Sequence, residues 1–272
     1  MGNETDIVEA MKQVIGQYAL VILLVIGAYF LGSYKTKVEY LEQGVGRAGA
    51  PSAPAPEEPV AQPPDMAKIE ALFADKENMV FGDRDAKIKI VEFSDTSCPY
   101  CQVATGNNPE LVAQMGAKFK PVSQGGSYVP PVPEIKKLVE SGDAAFMWLY
   151  SQGRGNGELS TIALYCANEQ GKFWQAHGLL MSNEGFTLVN ERVKNDRAKS
   201  GEMAEFLKSV VDSTKLKACI DAKKDERRIT SDPAIAQSFG YGATPTFFIN
   251  ETVVQGASSW NDSFKPIVDS LL

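Results

Sequence analysis

The 272-residue chain has a single histidine, His177, and only four cysteines. One histidine excludes every site built on two, the HExxH zinc helix among them. Four cysteines are too few to hold a chain of this length together in place of a hydrophobic core. Basic residues are also short, with 27 Lys and Arg against 34 Asp and Glu and a net charge of −7. That excludes a nucleic-acid surface, which needs a cationic face to displace counterions from phosphate. No block of like charges marks a polyanion or polycation partner, and no internal repeat is found. Hydrophobic residues make up 44% of the chain, enough for a packed core. The question is then where Cys98, Cys101, Cys166 and Cys219 lie.

Charge is missing altogether from Gln13 to Tyr34. As a helix this stretch spans roughly 30 Å, the thickness of a hydrocarbon core. Tyr18, Tyr29 and Tyr34 lie near its ends, as interfacial aromatics do. A cleaved signal peptide would have a shorter apolar core with an A-x-A site directly after it. Here Ala48-Gly49-Ala50 lies well beyond the run. The stretch is therefore read as one uncleaved transmembrane helix over 13–34, preceded by a 1–12 flank. Lys12 stands before it and Lys35, Lys37 and Arg47 after it, so the positive-inside rule alone puts the remainder in the cytoplasm. Residues 35–65 form a linker. Its second half, AGAPSAPAPEEPVAQPP, is an extended, semi-rigid Ala/Pro spacer.

A folded domain is expected over 66–272. Ile69, Leu72 and Phe73 give helical spacing over Met66–Asp75, and 79–81 and 87–93 read as strands. The continuous apolar run Ala144–Tyr150 reads as a buried strand. A long helical pattern covers 158–181, with Phe173 and Trp174 on its core side, and further helices are expected at 202–211, 215–223 and 225–239. Strands 246–249 and 252–255 flank Asn250-Glu251 as a hairpin, and Ser259 is expected to cap a last helix over 260–271. This order gives an α/β domain with a helical insertion at about 156–232. Gly106-Asn-Asn-Pro109 and Gln124–Pro133 bracket a second insertion after Cys101, read as a tolerated surface loop in preference to a lid or partner surface.

Cys98-Pro99-Tyr100-Cys101 follows the 87–93 strand and should open a helix. Two cysteines three apart at a helix start can close a small disulfide ring. The first sulfur sits where unpaired N–H groups and the helix dipole favour its thiolate. That thiolate is both the leaving group and the attacking species in disulfide exchange. Pro99 fits the first turn, where its missing N–H costs nothing. Half a zinc site is the main alternative, but zinc wants four ligands, and Cys166, Cys219 and His177 are distant singles. No metal or other cofactor is expected. A second signature is Gly242-Ala-Thr244-Pro245-Thr246-Phe-Phe-Ile249, with proline directly before a buried strand. A cis Thr244–Pro245 bond would satisfy that geometry.

Taken together, Ile90-Val-Glu-Phe-Ser-Asp95 leading into Cys98–Cys101, Glu169-Gln-Gly-Lys-Phe-Trp174 with His177, and Gly242–Asn250 resemble the DsbA-like branch of the thioredoxin superfamily over about 66–272. The resemblance implies a thioredoxin fold interrupted by a helical domain. It makes Cys98 the nucleophile, Cys101 the resolving cysteine and Pro245 the cis-proline beside them. Thr244, with Pro99 and Tyr100, would bind an extended substrate segment. Glu92 matches the buried acid near the resolving thiol and would relay its proton; a solvent-facing charge on a strand edge is the other reading of Glu92. The family's strongest oxidants carry histidine between the cysteines. Tyr100 removes that thiolate-stabilising group, which implies a milder potential. His177 is expected to pack or cap within the helical domain.

From the residues alone, Cys166 and Cys219 form either a structural disulfide or two buried thiols. The resemblance favours the disulfide, since some relatives have a second pair. A disulfide places the domain in an oxidising, extracytoplasmic compartment, against the lysine bias at 35 and 37. The implied activity is a single-pass membrane-anchored thiol oxidase, monomeric, acting on cysteine-containing exported proteins and re-oxidised by a quinone-linked membrane oxidase. A reductase or isomerase using the same cysteines, or a tethered metal- or partner-binding protein, are the rival readings.

Overall fold

The structure is a computed structural model that describes residues 64–272. The expected transmembrane helix 13–34 and the linker up to residue 63 lie outside the described residues. Among the described residues, no helix is long and apolar enough to cross a membrane.

Helix α1 (Met66–Ala74) starts at Asp65, whose carboxylate accepts the Ala67 N–H. Strands β1 (Val80–Phe81) and β2 (Ile88–Ser94) follow. Next come α2 (Pro99–Thr105), α3 (Pro109–Gln114), α4 (Pro131–Ser141) and β3 (Ala144–Tyr150). Six α-helices occupy the stretch between β3 and β4: α5 (Glu158–Glu169), α6 (Phe173–Leu180), α7 (Asn183–Thr187), α8 (Ser200–Leu207), α9 (Ser213–Asp221) and α10 (Arg228–Ser238), with a π-helical segment Leu188–Val193 and a 3₁₀ turn Arg197–Lys199 between α7 and α8. Strands β4 (Thr246–Ile249) and β5 (Thr252–Gln255) form a hairpin before α11 (Lys265–Leu271).

The strands make one mixed sheet in the order β1-β3-β2-β4-β5. Strands β2 and β3 run parallel at its centre, and the other pairings are antiparallel. Both central strands are buried almost throughout; β3 accordingly reads as a continuous apolar run, whereas β2 also buries the polar Glu92 and Ser94. Their period-2 alternation divides the core. Ile88, Ile90, Phe146, Trp148 and Phe247 face α2, α4, α5 and α6. Val91, Phe93, Met147 and Phe248 face α1 and α10. Glu92 and Ser94 share the first face.

Several expectations are corrected. The 158–181 pattern is two helices, because the chain turns at Gly171, whose φ of +67° favours glycine. The 106–133 stretch is not a plain loop. Asn108 caps α3 by accepting the Leu111 N–H at 3.0 Å, 3₁₀ turns follow at 117–119 and 122–124, and α4 begins at Pro131. Prolines that read as breakers occupy the first turns of α3 and α4, where their missing N–H is harmless. Ser259 does not cap the last helix with its side chain. Its hydroxyl accepts the Val129 N–H instead, and the segment opens with a π-helical turn, Trp260–Phe264. The expected helices 202–211 and 225–239 are shorter, as α8 and α10, and the expected 215–223 helix begins two residues earlier, as α9.

Candidate active site

Strand β2 ends at Ser94, and a tight turn carries the chain to Cys98. Asp95 builds that turn: its Oδ1 accepts the Ser97 N–H at 2.7 Å, and its carbonyl accepts the Cys98 N–H at 3.0 Å. Cys98 is the N-cap of α2, with Pro99 in the first turn and Cys101 one turn further in. Both cysteines are free thiols. Cys98 is 5% exposed at the mouth of a cleft of about 410 Å³, and Cys101 is fully buried. Met181 packs against both sulfurs' side chains from the helical side.

The Thr244–Pro245 peptide is cis, and the Thr244 carbonyl accepts the Cys98 thiol at 3.4 Å. Pro99, Tyr100 and Thr244 line the Cys98 cleft, so the candidate substrate-binding residues and the two thiols come together. The cleft's other wall is Gln152, Gly153 and Arg154.

Environment separates the two thiols. The Cys101 thiol, the Thr244 side chain and the N–H groups of Cys101 and Tyr100 all favour the Cys98 thiolate, outweighing burial, and hold its pKa down to about 6. Burial pushes Cys101 well above the ordinary thiol range, and the neighbouring Cys98 thiolate raises it further. The Asp95 N–H approaches Cys101 Sγ at 3.5 Å. Glu92 is fully buried on the central strand, opposite Trp148 and Phe247, not a charge on an exposed edge. Desolvation among those rings raises its carboxyl to about 7, with Ser94 opposing. Its charge is felt at Cys101.

The sequence reading missed the residues that hold this arrangement. Asp95 Oδ2 accepts the N–H groups of Gly153 (2.8 Å) and Arg154 (3.2 Å), clamping the post-β3 loop onto the thiol turn. Gly157 abuts the same carboxylate, where a Cβ would collide with Oδ1, and a Cβ on Gly153 would stand 2.9 Å from Cys98 Cβ. Gln102 Nε2 bonds the carbonyls of Thr96 (3.0 Å) and Leu180 (3.1 Å), anchoring α2 to the end of α6. The Asp-x-Ser spacing before Cys98 carried a signal for the turn; the contacts to 153–157 join residues nearly 60 apart and left none. His177 is buried and stacks on Phe173 at 5.3 Å beside Trp148, with burial holding its pKa down to about 4. It lies within the helical core, with no contact to either thiol.

Cys166 on α5 and Cys219 on α9 are disulfide-bonded, 53 residues apart in sequence. With Asp225 they are the cysteine, acid or histidine groups drawn close enough to suggest a metal among the described residues, but the disulfide removes both sulfurs as thiolate ligands.

A thioredoxin family model matches residues 74–116 and 135–270. Disulfide bond formation protein D of Bacillus subtilis is 24% identical over 189 residues, 67% of this chain and 72% of that protein. A Na(+)/H(+) antiporter NhaA 3 of Salinispora tropica is 23% identical over 175 residues, 63% of this chain; the chain spans 21% of that relative's length. The crystal structure of oxidised BdbD from Bacillus subtilis superimposes with a TM-score of 0.53 at 20% identity, covering 78% of this chain and 97% of that one, a likeness of fold.

Proposed function

This chain belongs to the thioredoxin family, and from that premise we propose that it is a membrane-anchored thiol–disulfide oxidoreductase that introduces disulfides into exported proteins through Cys98 and Cys101. The observation that carries the reading is the asymmetry of the two thiols: Cys98 at a cleft mouth with a pKa of about 6, Cys101 sealed and pushed the other way.

In the oxidised pair, a substrate thiolate attacks Cys98 Sγ, the reachable sulfur. The Cys98–Cys101 bond breaks, and its electron pair goes to Cys101, which takes up a proton. Glu92, poised near 7, supplies that proton across the buried face shared with Ser94. A second substrate thiolate then attacks the substrate sulfur of the mixed disulfide and releases Cys98 as its stabilised thiolate. Two substrate thiols become one disulfide, and the pair becomes a dithiol. Thr244 and Pro245, against Cys98, offer backbone to an extended substrate. Pro99 and Tyr100 border the same cleft. A quinone-linked membrane oxidase is the proposed electron acceptor for regeneration.

The Cys166–Cys219 disulfide supports an extracytoplasmic domain, because such bonds persist in oxidising compartments. The name of the Bacillus relative, a disulfide bond formation protein, supports the oxidising direction. The test is the reduction potential of the Cys98–Cys101 pair in the full-length chain, by equilibration with glutathione. A value towards the oxidising end, about −120 mV, supports an oxidase; a value near about −270 mV sinks it in favour of a reductase.

A further inference from the structure

The loop after β3 supplies one wall of the Cys98 cleft, and its backbone is fixed from both sides. Asp95 Oδ2 accepts the N–H groups of Gly153 at 2.8 Å and Arg154 at 3.2 Å. From the helical side, Asn195 Nδ2 donates to the Gly155 carbonyl at 2.7 Å, and Asn195 Oδ1 accepts the Glu158 N–H at 3.0 Å. Asn156 Nδ2 donates to Asn190 Oδ1 at 3.2 Å. Gly153 packs so closely on the site that a Cβ there would stand 2.9 Å from Cys98 Cβ. Arg154, the next residue, is exposed and lines the cleft. Every other residue lining the cleft is uncharged once Cys98 is in its disulfide. Five other arginines lie among the described residues, and each is engaged: Arg84 on backbone carbonyls, and Arg192, Arg197, Arg227 and Arg228 on carboxylates. The Arg154 guanidinium has no hydrogen-bond or ion-pair partner among the described residues; its backbone alone is tied down.

We propose that Arg154 is a specificity residue: it binds a carboxylate beside the reacting cysteine of the substrate, so that Asp or Glu next to that cysteine speeds its exchange at Cys98. The inference rests on the oxidoreductase reading of Cys98. A guanidinium presents a planar fork that meets a carboxylate in two parallel hydrogen bonds. Arg154 stands on a fixed backbone and has no partner to give up, so it needs little reorganisation to make them. The rest of the molecule works the other way. The net charge of −7 repels acidic peptides at long range, so a preference for them has to come from a local cation, and Arg154 is the cation of this cleft.

The test uses the full-length oxidised protein and short peptides with a single cysteine and with Glu, Gln or Lys at one of the positions within two residues of it. Two quantities are read at low and at physiological salt: the rate of mixed-disulfide formation, and the Kd of the matching Cys-to-Ser peptides by fluorescence anisotropy. In at least one position Glu is expected to be favoured over its isostere Gln about fivefold in both, and the ratio is expected to shrink as salt is added. Arg154→Glu is expected to invert the order and favour Lys. Arg154→Lys is expected to keep Glu ahead by a smaller ratio, because an ammonium keeps the charge and loses the fork. A Glu/Gln ratio of one at every position in the parent protein, or a ratio that survives Arg154→Glu, overturns the assignment. A Glu preference in Kd that Arg154→Glu abolishes, with no mixed disulfide formed by any peptide, sinks the oxidoreductase reading and leaves Arg154 standing as a carboxylate-binding residue.

Discussion

Cys98, Cys101 and Glu92 occupy one small region and ionise at different pH because their surroundings differ. Cys98 titrates near 6, so its alkylation by iodoacetamide should rise with pH through that value and level off by pH 8. The Cys101 thiol is the largest cause of the lowering, so Cys101→Ala should move the midpoint upward by a unit or more, read from the same rate–pH curve. The depressed value also stabilises the folded dithiol: the effect is complete above the ordinary thiol value of 9.0 and is lost as pH falls through 6. At pH 7 it amounts to about 1.4 kcal/mol, or about 30 mV towards oxidising power. Glu92 has the opposite sign. Its folded value, about 7, lies above the ordinary 4.5, so folding stability is undiminished below pH 4.5 and falls as pH rises through 7. Glu92→Gln removes that loss. Denaturant midpoints should show no gain at pH 4 and a gain on the order of 3 kcal/mol at pH 8. If Glu92 relays the Cys101 proton, the same variant should slow mixed-disulfide turnover at pH 7 about tenfold or more, a change that stability alone does not produce.

The elements around the site are held by contacts of very different sequence range, and that range decides what could be read from the residues. Strand β3 was legible because burial on both faces leaves an unbroken apolar run, β2 because Ile88, Ile90, Val91 and Phe93 alternate and then run together, and the β4–β5 hairpin because Asn250-Glu251 separates two β-branched and aromatic stretches. The cysteine turn was legible because its chemistry is local. Helices α3 and α4 were not, since their opening prolines mimic loop punctuation. Nor was the Asp95 clamp, whose partners Gly153, Arg154 and Gly157 are drawn in only by the parallel pairing of β2 with β3. The clamp is sensitive to volume. In Gly157→Ala the new methyl meets the Asp95 carboxylate, and thermal unfolding should show a loss of about 1–3 kcal/mol together with a shifted Cys98 alkylation midpoint. Gly171→Ala, whose Cβ meets nothing within 4 Å, should cost only backbone strain of about 1 kcal/mol and leave the thiol midpoint in place.

At the scale of the whole molecule, the helices between β3 and β4 are stapled by Cys166–Cys219, which joins α5 to α9. The closed loop spans 53 residues, which in the chain-entropy model corresponds to about 4 kcal/mol. The Cys166→Ala/Cys219→Ala double variant should lose stability of that order in denaturant titrations and keep the Cys98 midpoint near 6. A shared loss of both would show that the staple also shapes the thiol site. The sheet itself has short ends: β1 contributes two residues at one edge and β5 four at the other. A long open sheet edge offers bare strands a place to pair and grow into β-aggregates, a hazard for any protein whose proposed work is on unfolded chains. Edges this short give such chains little ladder to extend. On the function proposed above, a client would therefore be held by its sulfur alone and released, and the protein would not become the seed on which its own clients precipitate.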